Sequence, residues 1–188
     1  MPIDGDQAQF NAVWLITGIP GAGKSTVARL LAQRHPRGVH LEGDLIGGYT
    51  GHFIASGLVA PGGEPEEEAT RQMNLVVRNQ CLLARSFAAA GFVPALDYVV
   101  VARDRLGRYR RALRALRLHF VVLHPGKEAA IRRNAERGRR SPVAERWAYL
   151  EDLLVRELSG IGLWVDSRDL TPDQTVDHIL GHRDRARL

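Results

Sequence analysis

Residues 13–26 read Val-Trp-Leu-Ile-Thr-Gly-Ile-Pro-Gly-Ala-Gly-Lys-Ser-Thr, and this stretch decides the fold. An apolar run ends in a glycine-rich turn, and a helical pattern with Val27, Leu30 and Leu31 on one face follows at once. The turn has the spacing G-x-x-x-x-G-K-[ST], in which a strand leads into a loop and the loop into a helix. The stretch therefore predicts a strand–loop–helix unit that holds phosphate groups.

The residue types in this turn suit a polyphosphate ligand. Glycine permits the positive φ angles and the close main-chain approach that let several N–H groups converge on an anion. The following helix directs its partial positive charge at the same anion, while Lys24 can reach the β- and γ-phosphates and the Ser25 hydroxyl can ligate Mg²⁺. We therefore expect ATP and Mg²⁺ as cofactors. The expected nucleotide-binding residues of the loop are Gly18, Gly21, Ala22, Gly23, Lys24, Ser25 and Thr26.

Length and composition favour one globular domain over residues 1–188, with residues 1–11 as a loose leader. The apolar fraction of 45% and the charged fraction of 25% are ordinary globular values. No apolar run reaches the length of about 18 residues that a membrane span needs, and no signal peptide is evident. The only cysteine, Cys81, excludes a disulfide framework and is expected to be a buried side chain. These features predict a cytoplasmic protein without a membrane partner.

The formal net charge of +5 comes almost entirely from arginine, because Lys24 and Lys127 are the only lysines. One of these two lysines stands at the one position where the loop motif requires it. The positive excess suits an anionic ligand such as ATP, and it would also suit nucleic acid.

Short apolar runs alternate with helical patterns along the whole chain. This alternation predicts an α/β fold in three layers, with a five-stranded parallel sheet covered by helices on both faces. The expected strands are 13–17, 39–42, 92–97, 118–123 and 161–165, and the expected helices are 24–35, 65–90, 103–117, 127–137, 141–158 and one that opens with the capping box Thr171-Pro-Asp-Gln174. The helical period of residues 103–117 places Tyr109 inward. Pro94 is awkward in the third strand because it removes a ladder hydrogen bond. Residues 47–63 contain six glycines and are expected to form a functional loop.

Ligands of such sheets lie at the carboxyl ends of the strands, so the polar residues there are candidates for the site. Asp44 follows the second strand and is expected to be the base that accepts the proton of an attacking hydroxyl, although a turn cap is the alternative. Asp97 ends the third strand and is expected to hold Mg²⁺ through water or to contact the acceptor, unless it is simply an exposed acid. His124 and Asp166 follow the fourth and fifth strands.

An arginine-rich segment, residues 130–145, is expected to form a mobile lid around Gly138. Guanidinium groups there could neutralise the charge that develops on a transferred phosphoryl group, although a solvated basic face is the alternative. Arg137 adjoins the glycine and is the first candidate for a catalytic role, and Arg133 with Arg137 is expected to bind the nucleotide. The arginines of this cluster are Arg132, Arg133, Arg137, Arg139 and Arg140.

The other basic patch lies opposite an apolar stripe, which favours a solvated helix face over contact with nucleic-acid phosphates. Its members are Arg103, Arg105, Arg108, Arg110, Arg111, Arg114 and Arg117. The histidines show no metal-ligand spacing, so no zinc site is expected. Tyr49, Phe53 and Tyr98 are expected either to line a ring-binding pocket or to pack in loops and core.

Across residues 13–182 the chain resembles the P-loop small-molecule kinases, and most closely the chloramphenicol phosphotransferase-like group. The resemblance rests on the phosphate loop, on His40-Leu-Glu-Gly-Asp44, on Phe92 to Asp97, on Phe120-Val-Val-Leu with Ala-Glu-Arg137-Gly-Arg-Arg140, and on Leu163-Trp-Val-Asp166-Ser. It implies the strand order 2-3-1-4-5, and it implies that Asp44 is the base that acts on the substrate hydroxyl.

The phosphate loop is closer to those of gluconate and adenylylsulfate kinases, and residues 47–68 match no known acceptor pocket. We therefore predict an ATP-dependent phosphotransferase whose acceptor is a hydroxyl of a small molecule, such as an antibiotic, a nucleoside or a sugar. Two alternatives remain open, a nucleic-acid or nucleotide end kinase and a non-catalytic nucleotide switch.

Overall fold

The computed structural model describes residues 11–48, 66–136 and 149–188. Its strands are β1 (Ala12–Thr17), β2 (Gly38–Glu42), β3 (Val93–Asp97), β4 (Arg117–Leu123) and β5 (Leu163–Val165). Its helices are α1 (Lys24–Gln33), α2 (Gly43–Gly48), α3 (Glu66–Ala89), α4 (Arg103–Ala112), α5 (Lys127–Glu136), α6 (Leu150–Leu158), α7 (Pro172–Gly181) and α8 (Arg183–Ala186).

The five strands form one parallel sheet in the order β2-β3-β1-β4-β5, as the resemblance implied. The path from β1 to β2 runs in one direction along the sheet, and the later crossovers run in the other. Because parallel crossovers are right-handed, this reversal places α1 on the opposite face from α3 and α4. The predicted α/β class with helices on both faces is confirmed, and the carboxyl ends of all strands share one edge.

The core is the sheet itself with the helix faces that cover it. β1 is buried along its whole length, as expected for a central parallel strand. Fully buried large side chains such as Leu15, Phe120 and Tyr109 join the strands to the helices. No helix among the described residues is long and apolar enough to cross a membrane.

Pro94 fits its strand because of the register of the sheet. It pairs with Val39 of β2, but the ladder between β3 and β1 begins one residue later, at Ala95 and Trp14. The missing N–H group therefore lies beside the stretch where one neighbour is not yet paired, which is where proline is tolerated.

Some predicted boundaries were wrong. The helix expected over 103–117 ends at Ala112, because Leu113 to Leu116 form a turn before β4 begins at Arg117. The helix α2 was not predicted, since Gly43–Gly48 reads as the start of a glycine-rich loop. The predicted capping box of the last helix is confirmed by the reciprocal bonds between Thr171 and Gln174.

Candidate functional site

The phosphate loop has the backbone expected of an anion cradle. Gly18, Gly21 and Gly23 have φ angles of 151°, 86° and 96°, and Gly23 lies directly before the first turn of α1. A Cβ atom at Gly21 would lie 2.3 Å from the carbonyl oxygen of Ala130, so α5 leaves no room for a side chain there. The loop is thus held between α1 and α5, with the N-terminus of α1 directed into it.

Lys24 folds back over the loop that precedes it. Its side chain is buried, and its Nζ atom donates a hydrogen bond to the carbonyl oxygen of Ile19 at 3.2 Å. The ammonium group is therefore already located within the loop, which reduces the side-chain freedom that would be lost when it meets a phosphate.

Ser25 and Asp97 meet across the sheet edge. The Ser25 hydroxyl donates a hydrogen bond to Asp97 Oδ2 at 2.7 Å, and His40 Nε2 lies 2.6 Å from Asp97 Oδ1. Asp97 is only 2% exposed, so its carboxylate is compensated by these two groups rather than by water. A hydroxyl and a carboxylate together are the oxygen donors that Mg²⁺ prefers, and the residues present fit this metal.

A buried amide fixes the two strand ends that carry these groups. Gln80 of α3 donates from Nε2 to the carbonyl oxygens of Leu41 at 2.7 Å and Asp97 at 3.1 Å. Its Oε1 accepts a hydrogen bond from the hydroxyl of Tyr109 on α4. Both side chains are fully buried, so this network joins α3 and α4 to the carboxyl ends of β2 and β3.

Asp44 lies in the first turn of α2, directly after β2, with an exposed side chain. The preceding residue packs tightly, because a Cβ at Gly43 would lie 2.8 Å from the carbonyl oxygen of Asp97 and 2.4 Å from Tyr98 Cδ2. Burial raises the pKa of the Tyr98 hydroxyl to about 12, Arg105 opposes this, and the negative charge of Asp44 adds to it. Asp44 therefore belongs to the same edge of the sheet as Asp97 and acts electrostatically on Tyr98.

Arg133 lies beside the phosphate loop. It donates from Nη2 to the carbonyl oxygens of Ser167 at 2.6 Å and Arg168 at 3.1 Å, in the turn that follows β5. A cavity of about 290 Å³ lies here, and Ala22, Gly23 and Thr26 are among the residues that line its other side. Its volume is near the lower end of ligand pockets, roughly 300 Å³.

Some of the remaining predicted residues lie outside the described part of the chain, and two others follow β4 and β5. Arg137, Arg139, Arg140, Tyr49 and Phe53 lie outside the described residues, as does most of the predicted lid. His124 lies 3.2 Å from Glu151 Oε1. The Asp166 carboxylate accepts a hydrogen bond from the main-chain N–H of Arg168.

The basic patch of residues 103–117 is only partly the solvated helix face that was predicted. Arg108 forms an exposed ion pair with Asp104. Arg105 instead points inward and donates to the carbonyl oxygen of Val99 at 2.9 Å. Cys81 is buried, as expected, and burial raises the pKa of its thiol to about 12.

Two members of the site were not predicted, His40 and Gln80. His40 lies two residues before Glu42 on β2, and the register brings its face of the sheet beside Asp97. The alternation of β2 could have indicated that His40 shares a face with Glu42. Which β3 residue it meets depends on the register, which the sequence does not contain.

The profile of the AAA domain family matches residues 13–152 of the chain. No curated protein sequence matches it significantly. The described residues contain no cluster of three or more His, Cys, Asp or Glu side chains that could hold a metal.

Several solved structures share the fold. The tunicamycin resistance protein of Deinococcus radiodurans is 20% identical with a TM-score of 0.62, and the match covers 91% of this chain and 94% of that one. A gluconokinase of Sinorhizobium meliloti 1021 is 17% identical with a TM-score of 0.62, covering 94% of each chain. The APS kinase CysC of Mycobacterium tuberculosis, in complex with AMPPNP and APS, is 16% identical with a TM-score of 0.61, covering 91% of this chain and 95% of that one. The predicted resemblance to P-loop small-molecule kinases is thus confirmed for the fold.

Proposed function

The chain belongs to the AAA domain family, and we propose that it is an ATP-dependent phosphotransferase that acts on a hydroxyl of a small molecule. One observation carries this proposal: the phosphate loop with Lys24, the Ser25–Asp97 hydrogen bond and Asp44 share one edge of the sheet. Phosphoryl transfer needs phosphate binding, charge neutralisation and a base for the hydroxyl, and these groups supply the three needs.

The nucleotide end has a cradle for phosphates and a cavity next to it. We assign the phosphates to Gly18 and residues 21–26, through their main-chain N–H groups and the ammonium group of Lys24. The base of ATP would then occupy the cavity beside Arg133, where the Ser167 hydroxyl is buried without a hydrogen-bond partner among the described residues. A buried hydroxyl of this kind favours a ligand that can hydrogen-bond to it.

Ser25 and Asp97 would hold the metal. Mg²⁺, when bound, supplies positive charge that neutralises the phosphate oxygens. The protein would contribute the Ser25 hydroxyl as a ligand, and the Asp97 carboxylate accepts a hydrogen bond from that hydroxyl. Since Asp97 is committed to Ser25, we favour its role towards the metal over a role towards the acceptor.

Asp44 would accept the proton of the acceptor hydroxyl. Its exposure leaves the carboxylate accessible to a substrate that enters beyond the end of β2. Arg137, next to Gly138, would close over the nucleotide and stabilise charge on the transferred group, with Arg133 holding the turn that follows β5.

The site and the fold relatives support a proposal for the chemistry of the acceptor. The fold is shared with proteins described as a tunicamycin resistance protein, a gluconokinase and an APS kinase. We therefore place the acceptor among polar small molecules with a free hydroxyl group. The inward orientation of Arg105 and the ion pair of Arg108 leave less free positive charge on α4 for a nucleic-acid end.

The test is an ATP-consumption screen of the protein against antibiotics, nucleosides, sugars, sugar acids and a 5′-hydroxyl oligonucleotide. We expect at least one small hydroxyl compound to give a phosphorylated product by mass spectrometry. Phosphorylation of the oligonucleotide alone, with activity that falls steeply with salt, would establish the end kinase instead. Tight ATP binding without transfer to any compound would favour the nucleotide switch.

A further inference from the structure

His40 contacts the buried carboxylate of Asp97 through the oxygen that Ser25 does not use. Its Nε2 atom is 2.6 Å from Oδ1, whereas the Ser25 hydroxyl donates to Oδ2 at 2.7 Å. The two donors come from different elements, the strand β2 and the helix α1. Asp97 and His40 are only 2% and 17% exposed, so water supplies little of the compensation that this carboxylate needs.

We propose that His40 is a positioning residue that fixes the orientation of the Asp97 carboxylate beside Ser25; this inference rests on the proposed binding of ATP with Mg²⁺. The terminal torsion of an aspartate has a broad energy well, so one hydrogen bond from Ser25 restricts it weakly. A second donor on the other oxygen restricts rotation of the whole group. His40 therefore acts on the metal end of the site through Asp97, without touching nucleotide or acceptor.

The chemistry of the pair sets the direction of the bond. An ionised carboxylate only accepts hydrogen bonds, so Nε2 of His40 carries the proton and donates it to Oδ1. Partners of this kind, which orient groups at a metal site, typically change metal affinity or activity by about 10- to 100-fold when they are removed.

The position of His40 also argues against simple packing. β2 pairs with β3 such that His40 lies opposite Ala95, and Asp97 is two residues further along the same face of β3. An apolar residue would fill this half-buried place without the cost of burying an imidazole beside a carboxylate. The His40 side chain makes a diagonal hydrogen bond to Asp97, and this bond offsets that cost.

Two polar replacements separate geometry from polarity. The amide nitrogen of glutamine reaches about the position of histidine Nε2, whereas the amide of asparagine reaches only that of Nδ1. Because the bond uses Nε2, His40→Gln should keep it, and His40→Asn should lose it. His40→Leu removes the donor altogether.

The experiment is calorimetric titration of the whole protein with ATP, once with Mg²⁺ and once with EDTA. We expect wild type to bind more tightly with Mg²⁺. We expect His40→Asn and His40→Leu to lose about 10- to 100-fold of this gain and to keep the affinity in EDTA. His40→Gln should retain most of the gain in ATP affinity that Mg²⁺ gives. The control is His178→Leu, on the exposed side of α7, which should retain all of this gain.

A double variant tests whether His40 acts through Asp97. If it does, His40→Leu combined with Asp97→Asn lowers the Mg²⁺ gain no further than Asp97→Asn alone. A full Mg²⁺ gain in His40→Asn would overturn the inference, and so would an equal loss of affinity in EDTA, which indicates general distortion. If His40→Leu does not fold, His40→Asn decides the question. A wild type that binds no ATP under either condition would instead overturn the nucleotide proposal, and this inference with it.

Discussion

The two edges of the sheet each contain a histidine, and the two side chains differ in their hydrogen bonding. At the carboxyl edge His40 is hydrogen-bonded to Asp97, which in turn accepts from Ser25. Near the amino edge His119 of β4 is 9% exposed, and neither of its ring nitrogens has a hydrogen-bond partner among the described residues. Its ring packs edge-on against Trp14 at 4.4 Å between centroids.

We interpret this difference as one between groups that take part in the proposed chemistry and groups that pack in the core. Polar atoms at the carboxyl edge are joined into chains that reach the phosphate loop. The imidazole at the amino edge is retained only as a neutral ring, because burial and then Arg117, Arg183 and Arg187 lower its pKa to about 4. Changes at the first edge should therefore alter activity, and changes at the second should alter stability.

The largest effect is expected at the phosphate loop. Lys24→Ala removes the ammonium group that we assign to the transferred phosphoryl group. If it stabilises charge as strongly as an arginine finger does in other phosphoryl transfers, kcat/KM should fall by roughly 10³- to 10⁵-fold. The measurement is steady-state transfer to the acceptor found in the screen. The matched control is Lys127→Ala at the only other lysine, whose side chain forms an exposed ion pair with Asp152. Equal losses in both variants would contradict the assignment.

Asp44→Asn should separate chemistry from nucleotide binding. The amide cannot accept the proton of the hydroxyl, so kcat should fall by roughly 10²- to 10⁴-fold while ATP affinity stays near that of wild type. Turnover and ATP binding are measured on the same preparation. Asp104→Asn, which breaks only the exposed pair with Arg108, serves as the control. Undiminished transfer by Asp44→Asn would remove this residue from the base role.

At the amino edge the expected effect is on acid stability. With the pKa of His119 lowered in the folded state, the unfolded chain takes up this proton first as the pH falls below about 6.5. The free energy of unfolding should therefore decrease between about pH 6.5 and about pH 4, by up to about 3 kcal/mol or about a hundredfold in the equilibrium constant. His119→Phe keeps the aromatic contact with Trp14 and should lose this part of the pH dependence.

Urea unfolding of wild type and His119→Phe at pH 7 and pH 4 measures the difference. His182→Gln, in the turn after α7, controls for the removal of any histidine. If the free energy of unfolding of His119→Phe decreases between pH 7 and pH 4 as much as that of wild type, His119 does not cause this pH dependence. The contrast between the two edges would then be wrong.

A smaller effect is expected at the cavity of about 290 Å³ beside Arg133, where we propose that the adenine base of ATP binds. Arg133→Ala frees the carbonyl oxygens of Ser167 and Arg168 and loosens the wall of the cavity, so ATP affinity should fall by about 10-fold with little change in kcat. Arg156→Ala, on the exposed side of α6, is the control. A large fall in kcat at unchanged ATP affinity would indicate that Arg133 acts on the phosphates rather than on the adenine base.

The sequence was sufficient for the features that depend on local spacing. The loop from Gly18 to Thr26, the capping box at Thr171 and the burial of Tyr109 follow from motif, cap and helical period. The strand order came from the family resemblance. The end of α4 at Ala112 was missed because the arginines beyond it continue a good helical composition.

The sequence does not contain the register of the strands or the partner that a long side chain contacts. The sequence could not indicate that His40 meets Asp97, since this depends on how β2 is aligned with β3. Nor could it indicate that Arg105 turns inward, because a long side chain at a helix start can reach several carbonyl oxygens. Both contacts are decided by tertiary placement rather than by local preference.

The hydrogen bonds of Gln80 have a mechanical consequence. This one amide holds α3 to the carbonyl oxygens of two neighbouring strands. If α3 tilted as a rigid body, it would either break these two buried hydrogen bonds or displace Asp97. Gln80 is therefore a fixed point of that helix. Rearrangement on substrate entry should therefore be confined to the turns of α3 that precede Gln80. We expect amide hydrogen exchange to slow there on ligand binding, while the turns after Gln80 keep a constant, high protection.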